Sequence, residues 1–231
     1  MGITEIGTSI ARPGVQFGDE TTLGGKIQLE AWRKAVSQPT GPFRIYWGNE
    51  VEDPSTTWGF FDFASVEEHE KFAKEYGPEV VKDFPKILSR PGFTKHVDMK
   101  PYPPTALRAP VTEILLAWFP PDISPELKDA NTKKVELFAE KSLKACSDIH
   151  AINVGWGVEN DFPVRGGEEG QKGSLLAMFA GWSSIDAHVK FRETDEFKEA
   201  IHLIRGLEGK LKLTMFHVKC GFIENETRKE E

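Results

Sequence analysis

Apolar positions along this chain alternate between short dense runs and longer stretches where they recur every three or four residues. In the second half, 113–119 is an apolar run halted by Pro120-Pro121 and reads as a strand. From 124 to 146, Leu127, Ala130, Val135, Phe138, Ala139 and Leu143 fall near helical spacing, with Ser124 as cap and Pro125 in the first turn. The runs 149–158 and 174–182 predict strands and 184 to about 207 a helix. The run 211–222 predicts a last strand with Leu213 and Met215 on one face. The first half follows suit: a strand over 3–11, a helix over about 25–36, strands over 43–51 and 57–63, and a strand over 93–99. Its second helix opens at Ser65, which forms a capping box with Glu68. Each half therefore reads strand, helix, strand, strand, helix, strand.

The halves are also related in sequence. Trp47-Gly48-Asn49-Glu50 recurs as Trp156-Gly157-Val158-Glu159, 109 positions later. The stretch from Ser65 to Phe72 recurs from Ser184 to Phe191 at an offset of 119, and His96-Val97 recurs as His217-Val218 at 121. The order is kept, and the offset grows where the second copy carries the Gly-rich loop 165–173. Duplication explains this. The predicted organisation is a first repeat over 1–100, a stiff, extended Pro-rich linker over 101–110, a second repeat over 111–223 and a flexible tail over 224–231. The strands are apolar on both parities: Phe43, Ile45 and Trp47 alternate with Tyr46, and Phe60 adjoins Phe61. Such strands need cover on both faces, with helices on one and the partner repeat's sheet on the other.

Composition narrows the partners. The 231 residues carry a formal charge of -7, a surface that repels phosphate backbones, so no nucleic-acid partner is expected. No apolar run approaches the ~20 residues of a membrane-spanning helix, so no membrane partner is expected. No secretory signal is read at the start, and two unpaired cysteines, Cys146 and Cys220, fit a reducing cytoplasm. Metal, dinucleotide, P-loop and hydrolase motifs are absent from the sequence, so neither a metal nor a cofactor is expected.

Gly181-Trp182-Ser183-Ser184-Ile185-Asp186-Ala187-His188 and Asp195-Glu196-Phe197-Lys198-Glu199-Ala200 resemble a strand-end aromatic, a capped helix and the following turn of the dimeric α+β barrel superfamily. The likeness is to its antibiotic-biosynthesis-monooxygenase branch in tandem, fused form. It implies an α+β fold of two fused ferredoxin-like repeats with sheets packed face to face, an intrachain dimeric α+β barrel, as a monomer with an internal pseudo-dimer or as a homodimer. It further implies a cofactor-independent monooxygenase acting on an apolar small molecule, in the setting of secondary metabolism. A cyclase or decarboxylase of the same superfamily, or a non-catalytic small-molecule binder, is the alternative, because this fold hosts many chemistries. The haem-degrading branch places its ligand histidine directly after the Asp195–Ala200 motif. Here Ile201 stands there, and His202, one residue on, is turned by about 100°, so no haem is expected.

In this reading His188 or His69 is the catalytic base. The plain alternative for both is a helix histidine bonded to a neighbouring group. Trp156, Trp182, Trp47, Phe191, Phe179 and Met178 wall the substrate pocket, or else simply pack the core. Asn153, with Tyr46, Arg44 and Asn49, is a candidate to orient a ligand oxygen. Ala177, Ala180 and Gly181 are smaller than Trp58, Phe61 and Asp62 of the first copy. The larger, ligand-competent cleft is therefore expected in 111–223 near His188, with the loop 166–173 as a lid.

Overall fold

A computed structural model describes residues 2–228. The chain runs β1 (Ile3–Ala11), α1 (Leu23–Val36), β2 (Arg44–Asn49), β3 (Thr56–Phe63), α2 (Val66–Glu75), the four-residue α3 (Gly77–Val80), a 3-10 turn (Phe84–Lys86) and β4 (Leu88–Lys100). After a second 3-10 turn (Thr105–Arg108) come β5 (Val111–Phe119), α4 (Pro125–Phe138), a π-turn (Ala139–Leu143), β6 (Ile149–Gly157), the two-residue β7 (Phe162–Pro163) and β8 (Lys172–Trp182). The chain ends with α5 (Ile185–Phe191), α6 (Asp195–Arg205), β9 (Lys212–Val218) and β10 (Gly221–Glu224).

Two compact units result: the chain up to Asp98 together with the chain from Val218 onward, and Met99–His217. In the first unit the strand order is β10-β2-β3-β1-β4, and in the second β6-β8-β5-β9. Both contain the same antiparallel ferredoxin-like arrangement, with the strand order of the repeats preserved. The fold is α+β, built from two such repeats.

The caps explain where the helices begin. Ser65 accepts from Glu68 N and Ser184 from Ala187 N, at equivalent places in the repeats. Thr194 accepts from Phe197 N and starts α6 afresh, so the helix expected over 184–207 is two helices. In the first unit the corresponding stretch contains Gly77-Pro78 and Pro85, which permit only α3 and a turn. This difference in helical cover bears directly on the site.

Three boundary expectations need correction. Residues 101–110 are not an extended linker. They turn through the 3-10 helix, bury Ala106 and Leu107, and are tied down by Asn153, whose Oδ1 accepts from Ala106 N (3.0 Å) and whose Nδ2 donates to Pro101 O (2.7 Å). The strand expected over 211–222 breaks after Val218, and the chain beyond it returns to the first unit. There β10 pairs antiparallel with β2, Phe222 opposite Tyr46. The tail expected to be flexible from 224 begins inside β10. Asn225 N donates to Phe43 O, and the Arg228 guanidinium lies over the Phe43 ring and bonds Gly41 O and Glu68. The final residues, 229–231, lie outside the described residues. The loop after β7 is a hairpin tip closed by Val164 N to Gln171 O (2.9 Å), with Gly166 and Gly170 at positive φ.

Candidate active site

Sheet register assembles the site before any helix contributes. Residues directly opposite on paired strands share a face. Glu5 of β1 stands opposite Phe61 of β3 on one side and His96 of β4 on the other. Two residues along, on that same face, Gly7 stands opposite Gly59. Helix α2 then brings His69 over this face. Its Nδ1 lies 2.7 Å from His96 Nε2, and its Nε2 lies 2.9 Å from Glu5 Oε2.

The second repeat builds the same trio. His188 Nδ1 lies 2.8 Å from His217 Nε2, and His188 Nε2 lies 3.5 Å from Glu113 Oε2. The glutamates are 108 positions apart and the helix histidines 119, close to the repeat offset. Nothing in the local sequence around Glu5 or Glu113 marks them. The signal available was that Glu5 aligns with Glu113 once the repeat is extended back to the first strands.

The trios share a wiring and differ in their surroundings. In the second unit Trp182 stands where the first has Phe63. Its Nε1 donates to Glu113 Oε2 (3.1 Å) and its ring stacks on His188 with centroids 4.8 Å apart. Opposite each other on the helix-facing side stand Leu115 and Met178, the counterparts of Gly7 and Gly59. Both join a core with Phe138, Phe191, Ala200 and Ile204, over which α6 is laid. Burial pushes the Glu113 carboxyl above its ordinary range, against the lowering effect of the Trp182 hydrogen bond and of His217 and Arg192. His188 is 3% exposed.

In the first unit Gly7 leaves the sheet face without a side chain, Gly59 lets the Phe61 ring lie over it, and the short α3 leaves this face incompletely roofed. A cavity of about 260 Å³ results, close to the small end of the ~300–1,000 Å³ usual for ligand pockets. Its walls include Trp32, Phe61, Phe63, Phe72 and Phe84. Trp32 meets Phe61 and Phe84 edge to face, at 5.1 and 5.3 Å. Among its polar lining residues are Glu5, His69 and Gln28. Gln28 is 3% exposed. Its Oε1 accepts from Gly18 N (2.9 Å), and its amide nitrogen has no hydrogen-bond partner among the described residues.

This cavity lies in the first unit, whereas the larger cleft was expected in the second. The comparison of Ala177, Ala180 and Gly181 with Trp58, Phe61 and Asp62 misjudges which positions leave space. At Gly181 a Cβ would meet Ala109 Cβ at 2.7 Å and Ala106 O at 2.9 Å, so this glycine lets the 105–108 turn approach rather than opening a cleft. Ala180 lies within the packed core. The residues that decide the space are Gly7 and Gly59 against Leu115 and Met178.

The structure brings together only part of the expected site. His69 lines the cavity; His188 is packed away. Trp182, Phe191 and Met178 belong to the second unit's core, and Phe179 is fully buried. Trp156 donates Nε1 to Thr132 Oγ1 (2.8 Å) with Lys128 over its ring, and Trp47 packs in the first unit's core. None of these lines the cavity. Asn153 holds the 101–108 turn. Arg44 pairs with Asp62 (2.8 Å), Asn49 bonds Pro54 O and Tyr46 is buried against Phe222, so these polar candidates are also outside the cavity lining. His150 and His202 are exposed, and Ile201 of α6 packs against the second unit's core. The residues missed were Glu5, Gln28 and the aromatic wall.

His69 uses both ring nitrogens. A neutral imidazole donating from Nε2 to Glu5 and accepting at Nδ1 from His96 has no lone pair left for a substrate. Glu5 has one: Oε1 carries no partner among the described residues, and Glu5 lines the cavity. The arrangement can hold a carboxylate oxygen at an apolar cavity and orient it through His69, which His96 holds in turn.

Each of the two units so described carries the ferredoxin-like fold of one repeat. No family model matches the chain, and no curated protein matches it by sequence. Solved structures do match over its length. One described as an anthrone oxidase-like protein aligns over 97% of this chain and 94% of its own, at a TM-score of 0.64 and 14% identity. Two candidate monooxygenases also align over 97% of this chain. That from Fusobacterium nucleatum covers 94% of its own length at TM-score 0.61 and 11% identity, and that from Lactobacillus acidophilus 96% at 0.59 and 9%. At such identities the likeness is one of fold. Among the described residues, no helix is long and apolar enough to cross a membrane.

Proposed function

We propose that the first unit carries the active site of a cofactor-independent monooxygenase for a flat, apolar small molecule with an acidic C–H or O–H group. The observation that supports this best is the contrast between the repeats. The same Glu–His–His trio is sealed by Trp182 in one and borders an aromatic cavity in the other. Glu5 is the base in this reading, and His69, backed by His96, is its positioning partner.

With an anthrone as the model substrate, Glu5 takes a proton from the ring CH2. The carbanion passes one electron to dioxygen, and the radical pair joins to form a C–O bond. The peroxide anion takes the proton back from Glu5, and the hydroperoxide so formed loses its terminal OH and the remaining C–H hydrogen as one molecule of water. One oxygen atom ends as a carbonyl and the other as water, so no external reductant is consumed. The protein contributes a base, orientation and exclusion of water. The Gln28 amide nitrogen is a donor available to a substrate oxygen. The fold relatives described as monooxygenases and anthrone oxidase-like agree with this chemistry. A role in secondary metabolism belongs to the same proposal.

The test is oxygen uptake by metal-free protein with anthrone. Glu5→Gln should lose roughly 10²–10⁴-fold in kcat, the contribution of a positioned base, and His188→Ala, corrected for folded fraction, should keep its rate. Full activity in Glu5→Gln would remove the reading. Recurrence of the trio in the sealed repeat favours a second reading, in which it only ties helix to sheet and the cavity binds without turnover. Tight binding with no oxygen consumed would select it.

A further inference from the structure

We infer that Glu5, His69 and His96 also form a site for a borderline divalent transition-metal ion, with Zn²⁺ as its simplest probe. One ligand atom from each residue can be chosen so that all three lie within 4.8 Å of one another. Two imidazoles and a carboxylate are a donor set that suits zinc and its first-row neighbours. Calcium and magnesium prefer all-oxygen sites.

Three features distinguish this trio from a mere cluster. Glu5 and His96 are opposite each other in the β1–β4 register, so two donors are fixed on the rigid sheet. Glu5 Oε1 is without a partner among the described residues. Glu5 and His69 border a cavity, which supplies an entry path and room for a fourth, exchangeable ligand. The second repeat is an internal control. Its carboxylate is engaged by the Trp182 indole, its helix histidine lies 3.5 Å from that carboxylate and is 3% exposed, and neither residue lines the cavity.

Binding replaces hydrogen bonds with metal–ligand bonds. The ion takes one lone pair from each neutral imidazole, so the hydrogen between the two rings moves, through solvent, to a ring nitrogen that does not face the ion, and the histidines lose no net proton. His69 must also give up its Nε2–H···Glu5 bond or its contact with His96, a small rotation of one half-buried ring. This inference stands apart from the oxygenase proposal, but the two meet at Glu5: a carboxylate bound to zinc is no longer free to accept a substrate proton.

Equilibrium dialysis of the full chain against ZnCl2, with zinc counted by elemental analysis, tests it. The wild type should hold one zinc per chain at micromolar free metal. His69→Ala and His96→Ala, each checked for folding by circular dichroism, should lose at least 100-fold in affinity. His217→Ala and the double surface variant His150→Ala/His202→Ala should bind as the wild type does. Cobalt gives a second readout on the unmutated protein: a visible d–d spectrum of imidazole-ligated, four-coordinate Co²⁺, displaced by zinc. No stoichiometric zinc in the wild type, or zinc retained by folded His96→Ala, overturns the site. So does a cobalt spectrum without nitrogen ligation. The metal is measured directly, so an inactive protein that binds zinc contradicts only the oxygenase reading.

Discussion

Gly7→Leu transplants the residue of the second repeat into the first and should close the cavity while stabilising the protein. The backbone accepts a side chain there: a Cβ at Gly7 would find Phe93 O at 3.4 Å and Thr94 Oγ1 at 3.5 Å, ordinary contacts or nearly so. Gly59, across the strand pair, is less forgiving, because its Cβ would meet the Phe61 ring at 2.7 Å. From Gly7 a leucine points over the helix-facing side of the sheet, next to Glu5 and into the 260 Å³ space. Burying the leucine is worth about 1.5–3 kcal/mol. Replacing a strand glycine adds a few tenths to about 1 kcal/mol through the unfolded chain. Side-chain ordering costs about 0.5–1 kcal/mol. The net expectation is stabilisation by about 2 kcal/mol. For a chain of this length that raises Tm by roughly 4–8 °C. Differential scanning fluorimetry reads the stability, and quenching of tryptophan fluorescence by added anthrone reads the pocket, since Trp32 is in its wall. Quenching and oxygen uptake should both be lost. A variant that is destabilised by a similar amount, or that still binds and turns over anthrone, refutes the claim that the Gly7–Gly59 pair creates the site.

Glu113→Gln should be as stable as the wild type in acid and more stable at neutral pH. Burial raises the folded-state pKa of Glu113, so the wild type loses stability as pH rises through the unfolded value towards the folded one, whereas glutamine still accepts the Trp182 bond and does not ionise; a Tm gap that narrows with rising pH contradicts this. Asn153→Leu should cost about 2–5 kcal/mol, because Ala106 N and Pro101 O both lose a buried partner. Urea unfolding measures it, and a loss below about 1 kcal/mol, no more than one ordinary hydrogen bond, would show that the 101–108 turn holds itself.

The Ser65 and Ser184 caps and the strand and helix order were legible in the sequence, because each depends on local periodicity or on one residue bonding its own neighbours. Duplication was legible because it leaves repeated words. The helix histidines were recognised as a repeated pair for the same reason. Their partners were not. Glu5 and His69 are 64 positions apart, and only antiparallel register and the placement of α2 bring a first-strand carboxylate, a helix imidazole and a last-strand imidazole to one point. The aromatic cavity was expected in the second half, and not in the first, because side-chain size was compared without knowing which strand positions face the helices. On this face the decisive residues are Gly7 and Gly59 against Leu115 and Met178, with Phe63 against Trp182. The sequence by itself determined two ferredoxin-like repeats and their capped helices. Tertiary structure decided that one copy is filled and latched by an indole while the other keeps a space beside its carboxylate, because packing depends on what stands across the strand pair and not on what is adjacent in the chain.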